Sequence, residues 1–182
     1  LQRDVSEHLI ALSRKRDELV PFIKQFEADH PQAQRSFSDW ELLGRLYDER
    51  GDTAAALLAY RGALRKDPHH IDVRRRLIAI LERGGVTAEV LSEYEQLIAQ
   101  APGDSRGYLE LAERQWKVGQ KPKALLTLRR AAARFAADPS LHSALAELYS
   151  RFGEADLALQ ESELLVRLEP REESYIINLG EL

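Results

Sequence analysis

Residues 37–70 read FSDWELLGRLYDERGDTAAALLAYRGALRKDPHH, and this stretch opens a register that returns every 34 residues. Its markers are Trp40, Leu43, Gly44, Tyr47, Gly51, Ala56, Tyr60, Ala63 and Pro68. The turn glycines recur at Gly51, Gly85, Gly119 and Gly153, while Pro68, Pro102 and Pro170 share one position, with Ala136 in the remaining place. A further column holds Ala56, Val90, Ala124 and Ala158, followed by Tyr60, Tyr94, Leu128 and Ser162. No insertion breaks the register from Phe37 to Glu172. A fixed period of this size means a stack of small units rather than one globular core. Four complete units follow, at 37–70, 71–104, 105–138 and 139–172.

Within a unit the apolar spacing is helical, and glycine and proline punctuate it. Trp40, Leu43, Gly44 and Tyr47 lie at i, i+3, i+4 and i+7, so they share one face of a helix that stops at Gly51. A second helix is expected from about Thr53, with Ala56, Tyr60 and Ala63 on one face and Pro68 closing it. Asp52 and Thr87 stand where an N-cap oxygen accepts from orphan backbone N–H groups. Pro122 falls in a first turn, where a missing N–H costs little. Gly44, Ala56 and Ala63 are small where helices must approach; Trp40, Leu43, Tyr47 and Tyr60 are large and fill the gaps beside them. One such hairpin cannot bury both of its faces, so its neighbour must cover the second.

This constellation resembles the tetratricopeptide repeat family, whose pattern of Trp, Leu-Gly, Tyr, Gly, Ala, aromatic, Ala and Pro is met at all nine markers of the first unit. The resemblance implies an all-α fold, a right-handed α-solenoid of helix-turn-helix hairpins. Later units depart from the pattern at Arg74, Gln115 and Ser162, which bears on local packing more than on the fold. Carried backward, the register puts Leu9 and Ile10 at the Leu-Gly places, Asp17 at the turn and Phe26 at the aromatic place. Phe22 stands where a small residue belongs, so residues 1–36 read as a two-helix cap in preference to a degenerate repeat. At the other end, Ile176, Leu179 and Gly180 restart the first-helix pattern, and 173–182 is expected to begin a further repeat of a longer parent protein.

Chemistry is sparse. The chain of 182 residues has no Cys, so disulfides, thiolate metal sites and a Cys nucleophile are excluded. With 26 basic and 30 acidic residues its net charge is -4, which disfavours general adhesion to nucleic acid or membrane. Neither a bilayer-spanning apolar run nor a signal-peptide core is evident, and a soluble protein is expected, with cytoplasm and bacterial periplasm both open. His69-His70 beside Asp67 and Asp72 reads as a polar turn, and Gly84-Gly85 as a turn and not a phosphate cradle. Nucleophile-elbow, phosphate-loop and Zn-protease motifs are missing, so no enzyme activity, cofactor or metal is expected.

The family resemblance implies recognition of a protein or peptide along a concave groove lined by positions 2, 5, 9, 12 and 13 of each first helix. Over the four units these positions carry a net charge of -1, unlike a phosphate-tracking surface. The groove candidates are Arg45, Arg75, Ala79, Arg83, Arg106, Leu109, Glu113, Trp116, Lys117, Glu147 and Arg151. Glu41 and Arg45 occupy the places where chaperone-binding members hold a carboxylate with Lys and Asn, and an acid there repels such a ligand. Trp116 is the anchor candidate, because Trp buries a large area at low entropic cost; its alternative is to lean across the neighbouring helix, half-buried by stacking. Arg75, Arg83 and Arg106 either meet acidic ligand groups or are cross-linked on a solvated face by residues such as Glu82 and Glu113. The expectation is a scaffold that docks a peptide with an apolar anchor and a nearby acid across the second and third units. Homo-oligomerisation through the end helices, and a regulatory or substrate-selecting region of a larger enzyme, are the alternatives.

Overall fold

The structure, a computed structural model, describes residues 16–85 and 87–172. Leu9, Ile10, Ile176, Leu179 and Gly180 lie outside the described residues. Helix α1 (Arg16–Asp29) and a short 3-10 turn (Gln32–Gln34) lead into α2 (Phe37–Arg50), α3 (Thr53–Lys66), α4 (Ile71–Arg83), α5 (Thr87–Gln100), α6 (Ser105–Lys117), α7 (Lys121–Arg134), α8 (Pro139–Arg151) and α9 (Ala155–Leu168). Every regular element among the described residues is thus a helix. The chain divides into two compact units, Leu1–Glu93 and Tyr94–Leu182, with the boundary inside α5.

Glycine sets each turn after a first helix. Gly51, Gly85, Gly119 and Gly153 have φ of 80°, 72°, 79° and 77°, a left-handed conformation that a Cβ disfavours. The backbone N–H of Asp52, Gln120 and Glu154 then donates to the carbonyls of Tyr47, Gln115 and Tyr149 at 2.8–2.9 Å, closing the helix end. The second helix starts at once: Asp52 Oδ1 accepts from Ala55 N–H at 3.1 Å and caps α3. Thr87 does not cap α5. It stands one place further along the register, already in the helix, and its hydroxyl donates back to the Gly85 carbonyl at 3.5 Å. Ser36 and Asp39 form a reciprocal capping box on α2, and Pro122 sits in the first turn of α7.

In the first compact unit α2 packs on α3, α3 on α4, and α1 on α2. Leu43, Ala56, Tyr60 and Ala63 are fully buried. A Cβ on Gly44 would lie 2.5 Å from the Tyr60 ring, and one on Gly62 would lie 2.5 Å from the Trp40 ring, so both aromatic residues use space that only glycine leaves. In the second unit α6 packs on α7, α8 on α9, and α8 also touches α6 and α7.

The departures from the repeat pattern find partners within their own hairpins. Arg74, 3% exposed, takes the Trp place in the second unit, where it pairs with Glu93 and donates to the Pro68 carbonyl at 2.9 Å. His142, 1% exposed, takes it in the fourth, with Nδ1 2.5 Å from Glu161 Oε2. In both cases the acid lies 19 residues beyond its partner. The same second-helix column holds Ala59 where the first unit keeps Trp40, and Thr127 where the third keeps Tyr108. Thr127 Oγ1 donates instead to Gln115 Oε1 at 2.8 Å, and buried Ser162 donates to the Ala158 carbonyl at 3.0 Å. Each buried polar newcomer therefore has at least one hydrogen-bond partner, while the other ring nitrogen of His142, Nε2, is buried without one.

Two expectations follow from this packing. Gly44→Leu places side-chain atoms inside the Tyr60 ring and is expected to cost on the order of 1–3 kcal/mol, measured as a lower urea midpoint; an unchanged midpoint contradicts the close approach. Burial pushes Tyr47, Tyr60 and Tyr149 up to about 12, with neighbouring Glu27 adding to the shift of Tyr47. Because the buried neutral phenol is the favoured form, its contribution is complete below the ordinary tyrosine value of about 10 and is lost between about 10 and 12. Spectrophotometric titration is expected to show these phenols ionising late, together with alkaline unfolding.

Candidate functional site

The first compact unit carries four of the groove candidates, on α2 and α4. Arg83, at the end of α4, is ion-paired with Asp48 of α2, itself at a groove position of the preceding hairpin. Arg45 and Arg75 are half-buried and Ala79 is exposed. Arg83 is thus held by the surface that carries it, through a cross-link made by Asp48.

The second compact unit brings its seven candidates together. Helices α6 and α8 contribute Arg106, Leu109, Glu113, Glu147 and Arg151 to the wall of an open pocket of about 230 Å³. Leu109, Ala144 and Leu148 give it apolar lining, and Glu110 completes the rim. Arg151 Nη1 lies 2.9 Å from Glu113 Oε1 and links the two helices. Arg106 remains well exposed, with Nε 3.3 Å from Asp104 Oδ1, the carboxylate that also accepts the Arg106 backbone N–H at 3.1 Å and caps α6.

A second open pocket of about 370 Å³ shares Glu113 and Arg151 with the first and adds Arg114, Trp116, Lys117 and Phe152. The rings of Trp116 and Phe152 are parallel within 2°, with centroids 4.1 Å apart. Lys121 Nζ lies 4.8 Å from the indole centroid, a cation–π distance. Trp116 is half-buried by this arrangement and is therefore one wall of a fixed aromatic pair. Lys117 and Lys121 bring positive charge beside it, while the Arg151 charge is met by Glu113.

Phe152 escaped the sequence reading. Its register column holds Arg50, Gly84, Val118 and Phe152, so no shared residue type marks it. The available signal was its place immediately before the turn glycine Gly153 and directly after groove residue Arg151. Arg114, Ala144 and Leu148 were missed because they fall between the assigned groove positions. His70 is a capping residue: its Nδ1 accepts from Val73 N–H at 3.3 Å, and its ring lies 4.6 Å from that of Phe37. Among the described residues no cluster of three potential metal ligands occurs, and no helix is long and apolar enough to cross a membrane.

The sequence profile described as "Tetratricopeptide repeat" matches residues 6–171. The chain belongs to the tetratricopeptide repeat family. Its fold is the all-α solenoid type of that family, whose members are in general protein-interaction scaffolds. Comparison with curated protein sequences gives no match. Among solved structures, MamA 41-end from Desulfovibrio magneticus RS-1 is similar with a TM-score of 0.61 and 19% identity, over 94% of this chain and 95% of that one. TTC0263 of Thermus thermophilus, a thermophilic tetratricopeptide repeat protein, gives 0.51 and 20% over 100% and 98%. YrrB, described as having an unusual peptide-binding site, gives 0.56 and 13% over 94% and 88%. At these identities the likeness concerns the fold alone.

Replacing Phe152 by Ala removes one face of the Trp116 stack. The tryptophan emission is expected to shift to the red and acrylamide quenching to rise, and an unaltered spectrum would exclude the stack in solution.

Proposed function

We propose that this tetratricopeptide repeat protein is a non-catalytic scaffold whose second compact unit seats a peptide carrying an apolar side chain followed by acidic residues. The convergence of seven groove candidates on two adjoining pockets supports this reading. Leu109, Ala144 and Leu148 offer a dry contact for one apolar side chain. Lys117 and Lys121 offer charge to carboxylates that follow it, near a tryptophan whose position is fixed before binding. Such pre-organisation lowers the entropic cost of association. The Arg151–Glu113 pair stands between the two pockets, and an incoming carboxylate competes with Glu113 for Arg151. YrrB, a relative in fold, is described by its peptide-binding site, which accords with this use of the architecture. Assembly through the end helices would draw on residues 173–182, outside the described residues.

The test is isothermal titration with peptides that place one leucine before a run of aspartates, against counterparts in which lysines replace the aspartates. The acidic series is expected to bind about tenfold or more tightly, and Leu109→Asp or Lys117→Glu to lower its affinity by about the same factor, equivalent to about 1.4 kcal/mol. Equal binding of both series, or variants that bind as the parent does, would show the site to be misassigned.

A further inference from the structure

The first compact unit holds another opening, lined by none of the groove positions. It has a volume of about 430 Å³ and is lined by Gln32, Ala33, Trp40, Gly62, Arg65 and Lys66. Its lining contains two cations and no carboxylate. Arg65 and Lys66 are exposed in the last turn of α3, and no ion pair joins either to an acid among the described residues. Favourable interaction with the helix dipole explains basic residues at such an end. It does not explain why an indole and a glycine stand beside them.

The wall opposite is built. Buried Arg35 donates from Nε to the His30 carbonyl at 2.9 Å, lies 3.3 Å from Glu27 Oε1, and places its guanidinium 4.8 Å from the Trp40 ring centroid. These contacts hold the segment that carries Gln32 and Ala33 against α2. Trp40 is fixed in turn by the space over Gly62, and the Arg65 guanidinium lies 6.0 Å from the same ring. Glu27 meets the Arg35 charge, so Arg65 and Lys66 leave the pocket positive. The combination is peculiar to the first unit: at the Gly62, Arg65 and Lys66 places the later units carry Gln96, Ala99 and Gln100, then Arg130, Ala133 and Arg134, then Leu164, Arg167 and Leu168.

We infer that this pocket is a second peptide site, taking an acidic segment whose carboxylates meet Arg65 and Lys66 and whose neighbouring apolar side chain lies against Trp40 and Ala33. Charge complementarity selects the occupant: a basic peptide is repelled by both cations, and an uncharged one leaves them unpaired. The site does not depend on the groove, since none of its residues is shared with the pockets of the second unit.

Trp40 provides the readout. The chain has two tryptophans, so Trp116→Phe leaves Trp40 as the sole emitter and keeps an aromatic ring against Phe152. This variant is titrated with a peptide of four aspartates around one leucine, with its lysine counterpart, and with sodium phosphate. The acidic peptide is expected to change Trp40 emission saturably at low salt and to lose affinity at high salt, while the lysine peptide stays silent. Adding Arg65→Glu with Lys66→Glu is expected to weaken the response about tenfold or more, equivalent to about 1.4 kcal/mol; Arg65→Gln with Lys66→Gln gives the same reading should charge reversal disturb α3. A response that survives these substitutions, its absence in the parent, or an equal response to phosphate at the same concentration overturns the peptide site, the last by marking a small-anion site.

Discussion

The left-handed glycine after each first helix is the constraint on which the rest depends. At Gly51, Gly119 and Gly153 the positive φ lets the next N–H reach back to a carbonyl five residues earlier, so the helix ends with its last carbonyls satisfied and the chain already reversed. Only then can the second helix lie against the first within a 34-residue unit. A β-branched or bulky residue there would need a conformation it avoids. The turn also has a functional consequence, because Lys117 and Trp116 immediately precede one such turn and Arg151 and Phe152 immediately precede the next. The aromatic and basic pocket is assembled from the last turns of α6 and α8 together with Phe152 just past the end of α8.

Between the two helices of a hairpin, a second constraint operates. The first-helix place that opens with Trp40 is joined in two units to a second-helix column 19 residues away: Arg74 pairs with Glu93, and His142 Nδ1 lies 2.5 Å from Glu161 Oε2. Buried Arg74, always charged, needs an acid opposite, and Glu93 supplies it. A buried pair of this kind offers little net stability over an apolar one, because both charges lose their hydration. Its effect is conditional: removing either partner alone leaves the other stranded, so the two places are bound to one another even though the overall repeat tolerates either solution.

Much of this was legible in the sequence because it is periodic. The turn glycines, the small residues at Gly44 and Ala56, and the large ones at Trp40 and Tyr60 recur or fit a shared pattern, and each is explained by backbone geometry or close packing. Thr87 was misread because its hydroxyl suits a cap, although the register places the cap column at Asp52, Gln120 and Glu154, one residue earlier. Arg74, Gln115 and Ser162 looked like drift when read column by column. For Arg74 and Gln115 the meaning lies in pairs of columns that only a contact across the hairpin displays, whereas Ser162 bonds back to the Ala158 carbonyl of its own helix. Phe152 was hidden for the same reason: nothing in its own column predicts a ring, and its partner Trp116 stands in a different unit.

A repeat array separates the residues that hold it together from those that meet a ligand, and the two tryptophans illustrate how strict this separation is. Trp116 lies at a groove position and could in principle project freely, yet Phe152 and Lys121 hold its ring, so its contribution is a rigid surface and not a flexible probe. Trp40 lies at a packing position and is 7% exposed, yet its ring still forms part of an open pocket because Gly62 withdraws one side and the segment before α2 supplies the other. Rigidity in the first case and exposure in the second both come from neighbours outside the residue's own helix. Register position therefore determines which way a side chain starts out, and the adjoining helix or turn determines whether it ends as core, wall or anchor.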